Sequence, residues 1–232
     1  MLWCRDWGKI NTDEEKLCIT KACVTIHQFA EALGNAIDAK DRHTYDHSQH
    51  VAVISYMIAL ELGFTSRQAD IIHIAGHLHD IGKIGMPDYI LSKKGRLTEE
   101  EWKYIKRHPE IGAEIIGSVS SFQKEGGIKD MVLHHHERYD ANGYPAGLKG
   151  DEIPLGARIL SVADAFSAMI QDRPYRKAMP PERAFAEIVL SSGSQLDPLP
   201  VAATLAIKER IIGWVRGFEG QPADKGESGI PY

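Results

Sequence analysis

The sequence predicts an all-α fold, a single compact multi-helix domain, and three observations predict it. Apolar residues recur at three- and four-residue spacing along most of the chain, as in helices that each bury one face. Helix start and stop residues fall between those runs, with no alternating strand pattern. Of 11 histidines, all but His27 lie between His43 and His136, a density that points to a ligand site between helices rather than to packing alone.

The elements follow in order. An amphipathic helix spans Asp13 to Ala39, with Leu17, Val24, Phe29, Leu33 and Ile37 as its apolar positions and acidic residues at its start. A second runs from Ser48 to Leu62 and ends at Gly63; a third runs from Arg67 to His79 and stops near Gly82. Thr98 with Glu101 three residues on forms a capping box for a helix reaching Arg107. Pro109 suits a first helical turn. A helix from Gly127 to Arg138 precedes a turn-rich loop, Tyr139 to Gly150. Pro154 to Gln171 is apolar and helical, Pro181 opens another helix, and the last spans Pro200 to Arg216. The tail from Gly217 is rich in glycine, proline and charge and is expected to be disordered. Residues 1–40 are thus expected to form a helical extension packed on a domain of residues 41–216, with 217–232 as tail.

Composition narrows the partners. The net charge is −5, with no basic stripe, which argues against a DNA or RNA polymer as ligand. No secretory segment opens the chain, and no apolar run reaches the roughly 18 residues of a membrane span, so a cytoplasmic protein is expected. Cys4, Cys18 and Cys23 form no CxxC pair. Cys23 and His27 have the spacing of a metal pair, but free thiols in a reducing compartment are the simpler reading.

Five segments carry metal-ligand chemistry: His43 and His47; His79 and Asp80; His108; His134, His135, His136 and Glu137; and Asp164. Imidazole and carboxylate donors without thiolate suit iron, manganese, cobalt, nickel or zinc as divalent ions. Asp164 sits in the apolar run Ile159–Phe166, where an ionised carboxylate is costly unless paired or ligated. At the end of a helix His79 and Asp80 can serve neighbouring ions, with Asp80 bridging them. His73 and His77 read as helix packing.

These residues sit in motifs that closely resemble HD-GYP domains of the HD phosphohydrolase superfamily. They are DHSQHVA (Asp46–Ala52), HLHDIGKIGMPD (His77–Asp88), RHPEIGAEII (Arg107–Ile116), HHERYDANGYPAGL (His135–Leu148), RILSVADAF (Arg158–Phe166), DRPYR (Asp172–Arg176) and SGSQLDP (Ser192–Pro198). The resemblance implies an HD-type helical domain that hydrolyses a cyclic dinucleotide, usually cyclic di-GMP, to pGpG and in some members on to GMP. It implies two divalent ions, iron or manganese first, with zinc, cobalt or nickel as alternatives. His47, His79, Asp80 and Asp164 would hold one; Asp80, His108, His135 and His136 would hold the other. Asp80 and Lys83 would be catalytic, and Lys83, Arg173 and Arg176 would contact substrate. Gly143, Tyr144 and Pro145 form the signature loop, linked in the family to fold integrity and partner contact. A GGDEF-domain protein and a second copy of the chain are the implied protein partners. Glu137 and Asp140 are expected behind the ligands, accepting imidazole N–H groups; His134 has no family role, though a shift of one in the register would make it the ligand.

Three departures qualify the resemblance. His43 stands where three-metal members carry a glutamate; it is a further candidate ligand but cannot bridge ions as a carboxylate does, so two metals are expected. Ser167 replaces an aspartate near the substrate's base, which opens the choice between cyclic di-GMP and the mixed GMP–AMP dinucleotide. Ala141 replaces a glycine and is expected to stiffen the loop. The rival readings are a non-catalytic domain binding nucleotide or a GGDEF partner, and an HD phosphohydrolase of another nucleotide.

Overall fold

A computed structural model describes residues 13–41, 46–93, 95–172 and 177–219, with side chains from residue 26 to residue 217. Within these residues the regular elements are helices, and the only β pairing is two isolated bridges, Asp140 with Lys149 and Ser192 with Leu196. The helices are α1 (Asp13–Lys40), α2 (His47–Glu61), α3 (Ser66–Leu78), α4 (Asp88–Leu91), α5 (Glu99–Ile105) and α6 (His108–Ile116). They continue as α7 (Ile128–His134), α8 (Leu155–Ile170), α9 (Pro181–Leu190), α10 (Pro198–Ala206) and α11 (Lys208–Glu219).

The centre of the fold is α2, packed against α3 on one side and α8 on the other. Val51, Ile54 and Ile58 of α2, Ile72 and Ala75 of α3, and Ile159, Leu160, Val162 and Phe166 of α8 are buried together. Each large apolar side chain so buried contributes roughly 1.5–3 kcal/mol against exposure. Local signals fix the ends. Thr65 and Gln68 close a capping box on α3, and Thr98 with Glu101 closes the expected one on α5. Gly63, at φ 85°, ends α2 in the left-handed region that glycine adopts without steric cost. Ser48 donates from its backbone N–H and its hydroxyl to Asp38, at 2.9 Å each, which ties the start of α2 to α1.

Several expectations change. Phe29 does not join the inner face of α1: it is 66% exposed, while Ala30 and Ile37 are buried. The expected helix from Gly127 to Arg138 stops at His134, because the chain turns there into the signature loop. The expected helix from Pro200 to Arg216 is two, broken at Ile207, whose side chain is turned into the core. No glycine or proline marks that break; packing sets it. Helix α11 reaches Glu219, past the start expected for the tail; residues 220–232 lie outside the described residues. Ala141 has φ 66°, a region that costs an alanine roughly 1–2 kcal/mol. The substitution there brings strain, not merely stiffness. No helix among the described residues is long and apolar enough to cross a membrane.

Candidate metal centre

The site gathers at the ends of four helices and along a fifth. His47 opens α2, His79 caps the end of α3, His108 opens α6, His135 and His136 follow α7, and Asp164 lies within α8. After His79 the chain tightens into a 3-10 turn, Ile81–Gly85, with Asp80 at its head. That turn lies close against α6. A Cβ on Gly82 would collide with the carbonyl of His108 and the amide of Gly112, so glycine lets Asp80 reach His108.

Two ligand shells result, one of His47, His79 and Asp164 and one of Asp80, His108, His135 and His136. Within each, one donor atom per residue lies within 4.8 Å of all the others. His47 Nε2 is 3.1 Å from Asp164 Oδ1. Asp80 faces both shells, with Oδ1 3.1 Å from His108 Nε2 and Oδ2 3.4 Å from His79 Nε2. His108 Nε2 and His135 Nε2 are 3.3 Å apart.

In four of the five rings the second nitrogen is tied back. His79 Nδ1 donates to the Gly76 carbonyl at 2.7 Å, His108 Nδ1 to Ile105 at 2.8 Å and His135 Nδ1 to Val132 at 2.7 Å. A carbonyl accepts only, so each neutral ring carries its hydrogen on Nδ1 and turns a bare Nε2 inward. His47 Nδ1 meets Ser167 Oγ at 2.9 Å. The His79 Nε2 atom is buried with no hydrogen-bond partner, as expected of a ligand atom. Donor set, fixed tautomers and this orphaned nitrogen all fit divalent metal ions.

Charges are strongly coupled here. Burial opposes charge on His79, but Asp80 and then Asp164 raise its pKa to about 9. Burial would raise Asp80 too, yet the charges of Lys83 and then His79 hold it well below the usual carboxylate range. Asp164 is likewise held down against burial, by a hydrogen bond and charge from His47 and by His79 and His136. Burial, then the neighbouring His108, lowers His136 to about 3. Lys83 bridges Asp80 Oδ2 and Asp41 Oδ2 at 2.7 Å each, and these two carboxylates keep it charged against burial.

Other candidates sit differently. Glu137 does not accept from an imidazole: its carboxylate takes the backbone N–H groups of Ala146, Gly147 and Leu148 at 2.6, 3.1 and 3.1 Å. Asp140 accepts from Arg138 and from Asn142 N–H, not from a ligand ring. Backbone carbonyls fill the role expected of both. His134 Nδ1 lies 3.7 Å from Glu137 Oε1, outside either shell. Ser167 is fully buried behind His47, not exposed as its expected place near the substrate's base would require. Tyr144 of the signature loop lies over His136, ring centroids 4.9 Å apart, with Lys106 Nζ 5.4 Å from its ring. Gly143 approaches Glu137 and Arg138 too closely for any Cβ. His43, Arg173 and Arg176 lie outside the described residues. Sequence reasoning missed Asp41; an acidic residue near the end of a helix gives no sign of a partner 42 positions away.

A helical domain with two histidine–aspartate shells joined by one carboxylate is the architecture of a metal-dependent HD domain. The HD domain family model matches residues 31–199, and the chain belongs to that family; its resemblance to HD-GYP domains stands. The chain is similar to the cyclic di-GMP phosphodiesterase response regulator RpfG of Xanthomonas campestris, 42% identical over 194 residues covering 82% of this chain and 51% of that protein. It is also similar to the 3'3'-cGAMP-specific phosphodiesterase 3 of Vibrio cholerae, 39% identical over 172 residues covering 74% of this chain and 37% of that protein. A solved HDG"Y"P protein from Bdellovibrio bacteriovorus shares the fold at TM-score 0.60 and 17% identity, covering 84% of this chain and 65% of that one. The chain thus spans about half or less of the length of these curated relatives.

Proposed function

We propose that this chain is the catalytic domain of a metal-dependent phosphodiesterase that hydrolyses a 3′–5′ bond of a cyclic dinucleotide. The observation that carries this reading is Asp80, which turns one carboxylate oxygen toward each histidine shell. His47, His79, Asp80 and Asp164 would hold one divalent ion, and Asp80, His108, His135 and His136 the second, iron or manganese before zinc, cobalt or nickel. Such a pair supplies an activated water at neutral pH and polarises the phosphoryl oxygens.

The chain's own groups prepare that chemistry. The carbonyls of Gly76, Ile105 and Val132 hold three rings with Nε2 inward, so little reorganisation remains on loading. Lys83, kept protonated by Asp41 and Asp80, adds positive charge beside the centre to offset charge gathering on the phosphate. Arg173 and Arg176 would contact the rest of the dinucleotide. Gly143, Tyr144 and Pro145 would offer the contact surface for a GGDEF-domain protein or a second copy of the chain. Cyclic di-GMP is the first substrate to test and the mixed GMP–AMP dinucleotide the second, since the relatives are named for one or the other.

Protein purified anaerobically and loaded with iron or manganese is expected to release a linear dinucleotide, separable by chromatography. His79→Ala and Asp80→Ala should abolish release. Binding of both dinucleotides with no cleavage under any metal would reject the proposal.

A further inference from the structure

His47 differs from the other tied ligand rings in what stands at its two nitrogens. Both partners come from one helix: Asp164 and Ser167, one turn apart on α8, meet His47 Nε2 at 3.1 Å and Nδ1 at 2.9 Å. His47 and Ser167 are buried, so each nitrogen relies on its protein partner. Around His79 and His108 the pattern is another. Each has a backbone carbonyl at Nδ1, at 2.7 and 2.8 Å, and an Asp80 oxygen near Nε2, at 3.4 and 3.1 Å.

A neutral imidazole has one N–H and one bare nitrogen. Carbonyls and ionised carboxylates only accept, so His79 and His108 as neutral rings leave one of their two contacts without a hydrogen. His47 is not so placed. With its hydrogen on Nε2 it donates to Asp164, which is ionised, and its bare Nδ1 accepts from the Ser167 hydroxyl. That is the reverse of the tautomer the carbonyls impose on the other rings, and it turns an N–H, not a lone pair, toward the shell. A hydroxyl can also accept. Once Nε2 is a ligand the hydrogen must sit on Nδ1. Ser167 then accepts it, and its own O–H turns to the carbonyl of Ala163, one turn back on α8.

We infer that Ser167 is a positioning residue that lets His47 exchange tautomers as an ion enters or leaves its shell. The inference rests on the reading of His47 as a metal ligand. The exchange leaves the charge of the ring unchanged: Nε2 gives up one hydrogen and Nδ1 gains one. Without an ion His47 is satisfied at both nitrogens, so an ion enters the shell of His47, His79 and Asp164 only by displacing a formed hydrogen bond. A side chain at position 167 that only accepts would remove that resting state and tighten the shell.

The test is a long-range proton–nitrogen correlation spectrum of the imidazoles, which tells the two neutral tautomers apart. It is recorded on the full chain at mildly alkaline pH, with and without zinc, and His47→Gln marks the His47 signals by their loss. Native mass spectrometry counts the ions. Metal-free protein is expected to carry the His47 hydrogen on Nε2, and protein loaded with both zinc ions to carry it on Nδ1. Ser167→Asp, checked for fold by circular dichroism, should carry it on Nδ1 in both states and bind one of its two ions at least roughly tenfold more tightly. If that variant fails to fold, the two wild-type spectra decide alone. A hydrogen on Nδ1 of His47 in the metal-free wild-type protein, or one that stays on Nε2 with both ions bound, overturns the inference. Absence of any bound zinc overturns the metal reading and this inference with it, and the ion count keeps the two failures apart.

Discussion

Ala141 occupies the left-handed region at φ 66° without a glycine's freedom. Ala141→Gly should therefore stabilise the chain by about 1 kcal/mol, a rise of roughly 2–4 °C in melting temperature for a domain of this size; an unchanged or lower value would show that the loop carries no such strain. His79 offers a second test. With its pKa raised to about 9, it is protonated in the metal-free protein at neutral pH, so a metal must displace that proton. Apparent metal affinity should rise up to about tenfold per pH unit between pH 6 and 8. Calorimetry in buffers of different ionisation enthalpy would detect the released proton, and a pH-independent affinity would contradict the assignment.

At the scale of elements, the close approach of the Ile81–Gly85 turn to α6 decides whether the shells share Asp80. Gly82→Ala places a methyl where the His108 carbonyl stands and must push the two apart. A ligand shift of about 1 Å can cost about a hundredfold in rate, and a loss of that order is expected together with reduced metal content. Full activity would show that the approach is dispensable. Much here was legible in the sequence. Thr98 and Glu101 announce α5, and the His79–Asp80 pair falls at a helix end as its spacing suggested. What escaped has a common cause. The carbonyls that orient the rings carry no residue signature, Asp41 meets Lys83 only through the fold, and packing rather than a breaker residue divides α10 from α11. Ser167 could be placed on its helix but not behind His47, because only the crossing of α2 and α8 brings them together.

For the molecule as a whole, buried histidines make stability depend on pH. Burial, first of the causes, lowers His50 and His73 to about 4, His77 to about 2 and His136 to about 3, from an ordinary 6.5. The unfolded chain therefore binds their protons more tightly. Their contribution is present above pH 6.5 and is lost as pH falls toward the folded values. His79 has the opposite sign: its contribution is full below 6.5 and lost as pH rises through 9. From pH 6.5 down to 4 the depressed group dominates, at up to about 1.4 kcal/mol per pH unit for each histidine. The urea midpoint of metal-free protein should drop steeply between pH 6.5 and 5; a flat profile would mean that these rings are solvated.

Glu137 follows His136 directly in the chain and grips three successive amides of residues 146–148. It works as a clasp that ties the outer loop to the ligand pair. A load applied to the loop from outside is therefore felt at the imidazoles, and an ion seated among the imidazoles is felt at the surface. The three clasped N–H groups should exchange their hydrogens more slowly once metal is bound, although none of them touches it.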